Sequence, residues 1–130
     1  MPDAPFASLQ GRKYVNLETF RKNGQGVRTP VWFAGEPLES VPEKLYVYST
    51  SDSGKAKRIR NSARARLAPC DAGGKLKGDW IEAHAEIVTG ADGEHGMELL
   101  SKKYVPWKQL LDFFSMFSRN KRVVFLIRPA

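Results

Sequence analysis

Apolar and polar positions alternate in short runs along this chain, with the period of two that marks strands. The clearest run spans residues 80–89, where Ile81, Ala83, Ala85 and Ile87 share one face and Glu82, His84 and Glu86 the other. Residues 13–22 set Tyr14, Val15, Leu17 and Phe20 among polar neighbours, and residues 26–34 form a second β-rich segment. Asn23-Gly24 lies between them, and such a step predicts a hairpin because both residues tolerate positive φ. Further strands are expected at 44–50, 64–70 and 122–128, with 71–78 a turn rich in glycine and lysine. Residues 35–43 hold two prolines and three glutamates and read as a solvated loop.

Helical spacing is confined to three places. Asp52-Ser53-Gly54 has the chemistry of an N-cap before residues 55–62, where Ile59 is the main apolar anchor. After a turn at 90–93, residues 94–104 and 107–117 read as helices separated by Pro106. The second carries Leu110, Leu111, Phe113, Phe114 and Phe117, enough apolar surface to cover a sheet or a partner subunit. Six hairpin-linked strands with short helices between them predict a mainly β (α+β) domain over residues 1–130, a small antiparallel barrel flanked by helices. Pro30 lacks an amide donor inside the second strand, which fits either an edge strand or a strand with a ligand lying against it.

A length of 130 residues suits one domain. The longest clean apolar run, residues 123–127, is far short of a membrane span of ~20 residues. The first eleven residues lack the basic start and apolar centre of a signal peptide. Cys70 alone forms no internal disulfide, and with only His84 and His95 it makes no convincing zinc site. A reducing cytoplasm is the expected location.

Charge changes the picture more. The net +7 is uneven: residues 53–78 hold eight of the 21 basic residues and one of the 14 acidic ones, so their surplus equals that of the whole chain. This points to an anionic partner bound in one place. The surplus coincides with the junction Tyr48-Ser49-Thr50-Ser51-Asp52-Ser53-Gly54-Lys55-Ala56-Lys57-Arg58. A helix start offers unpaired amides and a positive dipole end, Ser49, Thr50 and Ser53 offer hydroxyls, and Lys55 and Arg58 share a helix face. The residues alone leave two readings open, a phosphate seat or a capped helix with solvated cations. Gly54-Lys55 is followed by alanine, so a nucleotide P-loop is excluded, and Gly90, Gly93 and Gly96 are wrongly spaced for a dinucleotide fingerprint. Nucleic-acid binding stays as a rival, with Trp32, Phe33, Tyr46 and Tyr48 as a stacking platform.

Catalytic side chains are scarce. His84 sits mid-strand between glutamates, His95 lies near a helix start, and Cys70 follows a proline at a strand end. An enzyme built this way needs a bound cofactor to carry the chemistry.

Thr19-Phe20-Arg21-Lys22-Asn23-Gly24, Thr29-Pro30-Val31-Trp32-Phe33, Leu45-Tyr46-Val47, Ser53-Gly54-Lys55-Ala56-Lys57-Arg58-Ile59-Arg60-Asn61 and Leu67-Ala68-Pro69-Cys70-Asp71 follow one another in an order similar to that of a known family. Together they resemble the pyridoxamine 5′-phosphate oxidase-like split barrels, closest to the branch that uses the deazaflavin coenzyme F420. The resemblance runs from about Phe6 to Arg128. It implies a six-stranded split barrel, a homodimer with cofactor grooves at the subunit interface, and hydride transfer to or from a small unsaturated substrate. Thr29, Pro30, Val31 and Trp32 would lie along the cofactor ring, and Tyr48, Ser49 and Thr50 along its ribityl and phosphate end. Lys55, Lys57 and Arg58 would hold the phosphate, and Trp80 would reach the partner subunit's cofactor. FMN shares the ring, the ribityl chain and the first phosphate and is the alternative. Arg60, Arg64, Lys75 and Lys77 would suit the anionic tail of coenzyme F420 where they face the groove. The chain lacks the substrate-binding extension of true pyridoxamine-phosphate oxidases, so vitamin B6 oxidation is not expected.

Overall fold

The computed structural model describes residues 4–51, 53–103 and 122–130. A 3-10 turn at Ala7–Leu9 precedes β1 (Tyr14–Phe20), β2 (Gly26–Trp32), β3 (Ala34–Glu36) and β4 (Lys44–Thr50). Helix α1 (Gly54–Asn61), β5 (Arg64–Cys70), β6 (Ile81–Val88), α2 (Gly90–Lys103) and β7 (Arg122–Pro129) follow. The seven strands form one sheet in the order β2-β1-β5-β6-β7-β4-β3, and every pairing is antiparallel. The sheet curls into a half-barrel with two helices against it.

Pleating explains the curl. In β1, Val15 and Leu17 point inward; in β4, Leu45 and Val47; in β6, Ala83 and Ala85; in β7, Phe125 and Ile127. All belong to one core that also holds Phe6, Leu9 and Phe33. Helix α1 plugs one side of this core with Ala56 and Ile59. The opposite faces differ from strand to strand. Tyr46 and Tyr48 of β4 and Val124 and Leu126 of β7 pack under Leu99 and Leu100 of α2, whereas Glu82, His84 and Glu86 of β6 are exposed. Helix α2 sits close because residue 96 is glycine. A Cβ there would come within 2.6 Å of Tyr46 Cδ1 and 2.8 Å of Val124 Cγ1. At its C-terminal end, the Lys103 ammonium donates to the carbonyls of Arg12 (2.5 Å) and Phe33 (2.8 Å) and lies over the Phe33 ring. Burial pulls its pKa down to about 8.

The predicted hairpin forms, with Gly24 at φ 87° and the Arg21 and Gly24 amides closing the turn. Strand β2 lies at one edge of the sheet, the position where a proline costs least. Three expectations are corrected. Among the described residues there are seven strands rather than six, because the strand expected over 26–34 ends at Trp32, and Ala34 joins the first residues of the expected loop in β3, which pairs with β4 at Ala34↔Tyr46 and Gly35↔Leu45. Residues 90–93, expected as a turn, are the first turn of α2. The aromatics expected to stack bases are largely enclosed: Phe33, Tyr46 and Tyr48 are 1%, 2% and 9% exposed. The helix expected at 107–117 lies outside the described residues.

Candidate functional site

The junction after β4 is built by its own hydroxyls. Ser53 is the N-cap of α1, its Oγ accepting from the Ala56 amide at 3.1 Å while Ser49 Oγ donates to it at 3.0 Å. Arg60, one helical turn further, reaches back to the Ser51 carbonyl at 2.8 Å and fixes the approach to the helix. This arrangement aims the end of β4 and the start of α1 into a cavity of about 530 Å³. Its facing wall is Thr29, Pro30, Val31 and Trp32 of β2, with Tyr14 beside them on β1. Tyr48, Ser49, Thr50, Ser53 and Lys55 complete the near side, and Ala72 the rim. Since β2 and β4 are nearly at opposite ends of the strand order, the cavity lies where the curled sheet faces itself.

The wall divides by chemistry. Tyr14, Pro30, Val31, Trp32 and Tyr48 are mostly apolar surface, and burial holds the Tyr48 phenol protonated well above its ordinary range. Ser49, Thr50, Ser53 and Lys55 gather donors at one end. Lys55 is the only cation on this wall among the described residues, and no described carboxylate pairs with it. Burial first, then repulsion from Arg58, lowers its pKa. A partly buried ammonium without a counter-ion is costly on its own and is relieved by an arriving anion.

Ala72 is held at the rim by the turn that follows β5. Asp71 Oδ1 accepts from the Gly73 and Lys75 amides, both at 2.9 Å, and these bonds keep its carboxyl below the usual range. Asn16 Nδ2 donates to the Gly74 carbonyl at 3.1 Å and ties this turn to β1, directly across from Pro30 in the register.

Eight of the residues singled out from the sequence meet at this cavity: Thr29, Pro30, Val31, Trp32, Tyr48, Ser49, Thr50 and Lys55. Three do not. Lys57 is exposed and off the wall. Arg58 turns the other way, its Nε donating to the buried Thr19 Oγ1 at 2.6 Å, so it clamps α1 to β1. Trp80 lies between two guanidinium groups of its own chain, Arg28 at 4.6 Å and Arg66 at 5.0 Å. Both arginines bind the buried Glu18 carboxylate, Arg28 at 3.0 Å and Arg66 at 2.5 Å, and lower its pKa against the opposing effect of burial. Arg66 thereby acquires a structural role. Tyr14 and Ala72 were not singled out from the sequence. Tyr14 was within reach, because the Asn-Gly turn fixes a register that pairs it with Trp32.

The other titratable cluster lies on α2. His95 Nε2 is 2.7 Å from Glu36 Oε2, Lys44 Nζ is 3.5 Å from Glu36 Oε1, and the His95 ring meets Tyr46 edge-on. Among the described residues no group of His, Cys, Asp and Glu has the arrangement of a metal site, and no helix is long and apolar enough to cross a membrane.

This curled sheet, with two helices against it, has the fold of solved pyridoxamine 5′-phosphate oxidase-like structures. A proposed pyridoxamine 5′-phosphate oxidase from Listeria innocua superposes with a TM-score of 0.65 at 17% identity, over 93% of this chain and 86% of that one. An F420 reductase superposes at 0.60 and 20% identity, over 100% of this chain and 96% of that one. The heme storage protein HutZ from Vibrio cholerae superposes at 0.66 and 16% identity, over 93% and 84%. At these identities the likeness is one of fold, and the fold serves more than one ligand. No family model and no curated protein matches the chain.

Proposed function

We propose that this protein is an oxidoreductase that binds coenzyme F420 in the Lys55 cavity and exchanges hydride with a small unsaturated substrate. The observation that carries the reading is the division of that cavity, with an apolar, aromatic wall on one side and, on the other, three hydroxyls with one ammonium that no described carboxylate pairs with. A tricyclic ring bearing a ribityl phosphate has the same division. The volume falls within the usual range for a cofactor pocket, roughly 300–1,000 Å³.

In this reading Lys55 holds the phosphate by a charge-assisted bond, and the Thr50 and Ser53 hydroxyls orient it, with Ser49 positioning Ser53 by donating to its Oγ. Pro30 presents a wall with no amide donor to the ring, while Tyr14 and Trp32 exclude water beside it. The bound cofactor supplies the hydride chemistry, which accounts for a cavity with no histidine or cysteine on its described wall. The F420 reductase that shares this fold over nearly its whole length supports the choice of cofactor. FMN presents the same ring and phosphate to the same groups and is the second reading. A homodimer, with the partner closing the groove, belongs to the proposal.

The test is a titration of the apo-protein with coenzyme F420, FMN, hemin and a short single-stranded RNA. Saturable micromolar binding of coenzyme F420 with quenching of its fluorescence is expected, along with a dimer mass by light scattering. Binding of RNA with a steep salt dependence, and of neither flavin-type cofactor, overturns the reading.

A further inference from the structure

A second concave site lies at the other end of α1. It is a hollow of about 410 Å³ between the tip of the β1–β2 hairpin and the C-terminal end of the helix. Ser53 and Lys55 line the first cavity, whereas Asn61 and Ser62 line this one. An eight-residue helix separates its two ends by about 12 Å, so one small ligand does not fill both.

The chemistry of the hollow is one-sided. Arg21 and Lys22 enter from the hairpin and Arg64 from the start of β5, while no acidic residue lines it among the described residues. Arg64 is held in place from two directions. Its guanidinium lies 4.3 Å from the centre of the Phe20 ring, and Glu82 accepts from its Nε at 3.1 Å and its Nη2 at 3.2 Å. That leaves the Nη1 side of a pre-oriented, planar donor for a ligand. Asn61 and Ser62 add a carboxamide and a hydroxyl. The local field is positive enough that Arg21, after burial, contributes to the lowered pKa of the neighbouring Arg58.

We propose that this hollow binds a pyrophosphate group, at a site separate from the Lys55 cavity and independent of the oxidoreductase reading. Three cations spread around one depression exceed what a single carboxylate neutralises, and two linked phosphates bring several oxygens and multiple charges to them. Free pyrophosphate and a nucleoside diphosphate both carry this group, so both serve as probes.

The experiment is an amide NMR titration of the full chain with pyrophosphate and, separately, with ADP. Saturable shifts are expected at Gly24, Asn61 and Ser62, within the hollow. Arg21→Ala and Arg64→Ala are each expected to weaken binding about three- to five-fold. Lys55→Met should leave the shifts at Gly24, Asn61 and Ser62 unchanged, whatever it does at the first cavity, and Arg21→Glu should abolish them. Arg21 is exposed, so its variants keep the fold even where Arg64→Ala does not. Equal affinities for the two probes assign recognition to the pyrophosphate itself, and tighter ADP binding adds a contact to the base; both support the site. Three results overturn it: no saturable shift, shifts centred on Ser53 and lost in Lys55→Met, or saturation by RNA alone. Coenzyme F420 binding that survives Arg21→Glu separates this proposal from the preceding one.

Discussion

Replacing Lys55 with methionine tests the candidate site through two effects of opposite sign. The substitution keeps most of the side-chain volume and removes the one cation on the described cavity wall. Without ligand, that ammonium is partly buried and has no described carboxylate beside it. Its loss should therefore stabilise the apo-protein, by about 0.5–1 kcal/mol. With an unfolding entropy of roughly 2.1 cal/mol/K per residue, a chain of this length gains about 2–4 °C in Tm. The bound state responds the other way. A charge-assisted hydrogen bond to phosphate contributes about 1.5–3 kcal/mol, so cofactor affinity should fall roughly 10- to 100-fold. Thermal melts of the apo-protein and fluorescence titrations with coenzyme F420 and FMN read the two effects separately. Lys55→Arg, which keeps the charge, should restore much of the affinity. The lowered pKa adds a pH signature. Affinity in the native protein should decline as pH rises through the pKa of free Lys55, earlier than for an ordinary lysine, and the decline should vanish in the methionine variant. An apo-protein destabilised by Lys55→Met, or an affinity changed less than two-fold, would refute the assignment of Lys55 as an anion ligand.

Other expectations concern the frame around the site. Glu18→Gln leaves Arg28 and Arg66 without their shared carboxylate; because both are partly solvated, the cost should be about 2 kcal/mol, or roughly 7 °C in Tm. Glu18, Glu36 and Glu82 all have depressed pKa values. Their stabilisation is present above the ordinary carboxylate range and is lost as pH falls through the folded-state values, so denaturation midpoints should drop on the acid side of about pH 4.5, less steeply in Glu18→Gln. Gly96→Ala gains helix propensity but drives a Cβ into the buried Tyr46 ring; overpacking should win, with a net loss of about 1–2 kcal/mol by urea denaturation. Ser53→Ala removes the N-cap acceptor and should cost about 1 kcal/mol, measurable in the same denaturation series.

How much of this the sequence carried depends on the signal each element leaves. The strands at 44–50 and 64–70 emerge with their expected limits because both have apolar runs bounded by charged or turn residues. Strand β3 did not emerge, since Ala34-Gly35-Glu36 is too short to show alternation and is followed by Pro37. Gly90 and Gly93 read as turn formers, yet a helix starts there because the packing of α2 outweighs their poor propensity. The hydroxyls and Lys55 of the site were legible from the helix-cap chemistry. The directions of Lys57 and Arg58 were not, because successive helical positions radiate about 100° apart and a charge count has no direction. The Thr19 hydroxyl, 39 residues away in sequence, decides where Arg58 points. Trp80 was likewise placed by two distant arginines.

Strands β2 and β3 stand at the two extreme edges of the sheet, yet Phe33 alone separates them along the chain. The half-barrel is thus a hoop whose ends are fastened by one residue and not by a hydrogen-bonded ladder. Phe33 is fixed by its burial in the core and by the Lys103 ammonium on its carbonyl. The Lys55 cavity opens beside this clasp, with Trp32 immediately before it and Tyr48 on the strand that pairs with β3. Whatever fills the cavity bridges both sides of the fastening. A ligand seated there touches β2 at one edge of the sheet and β4 next to the other, so it spans the same gap that Phe33 spans along the chain.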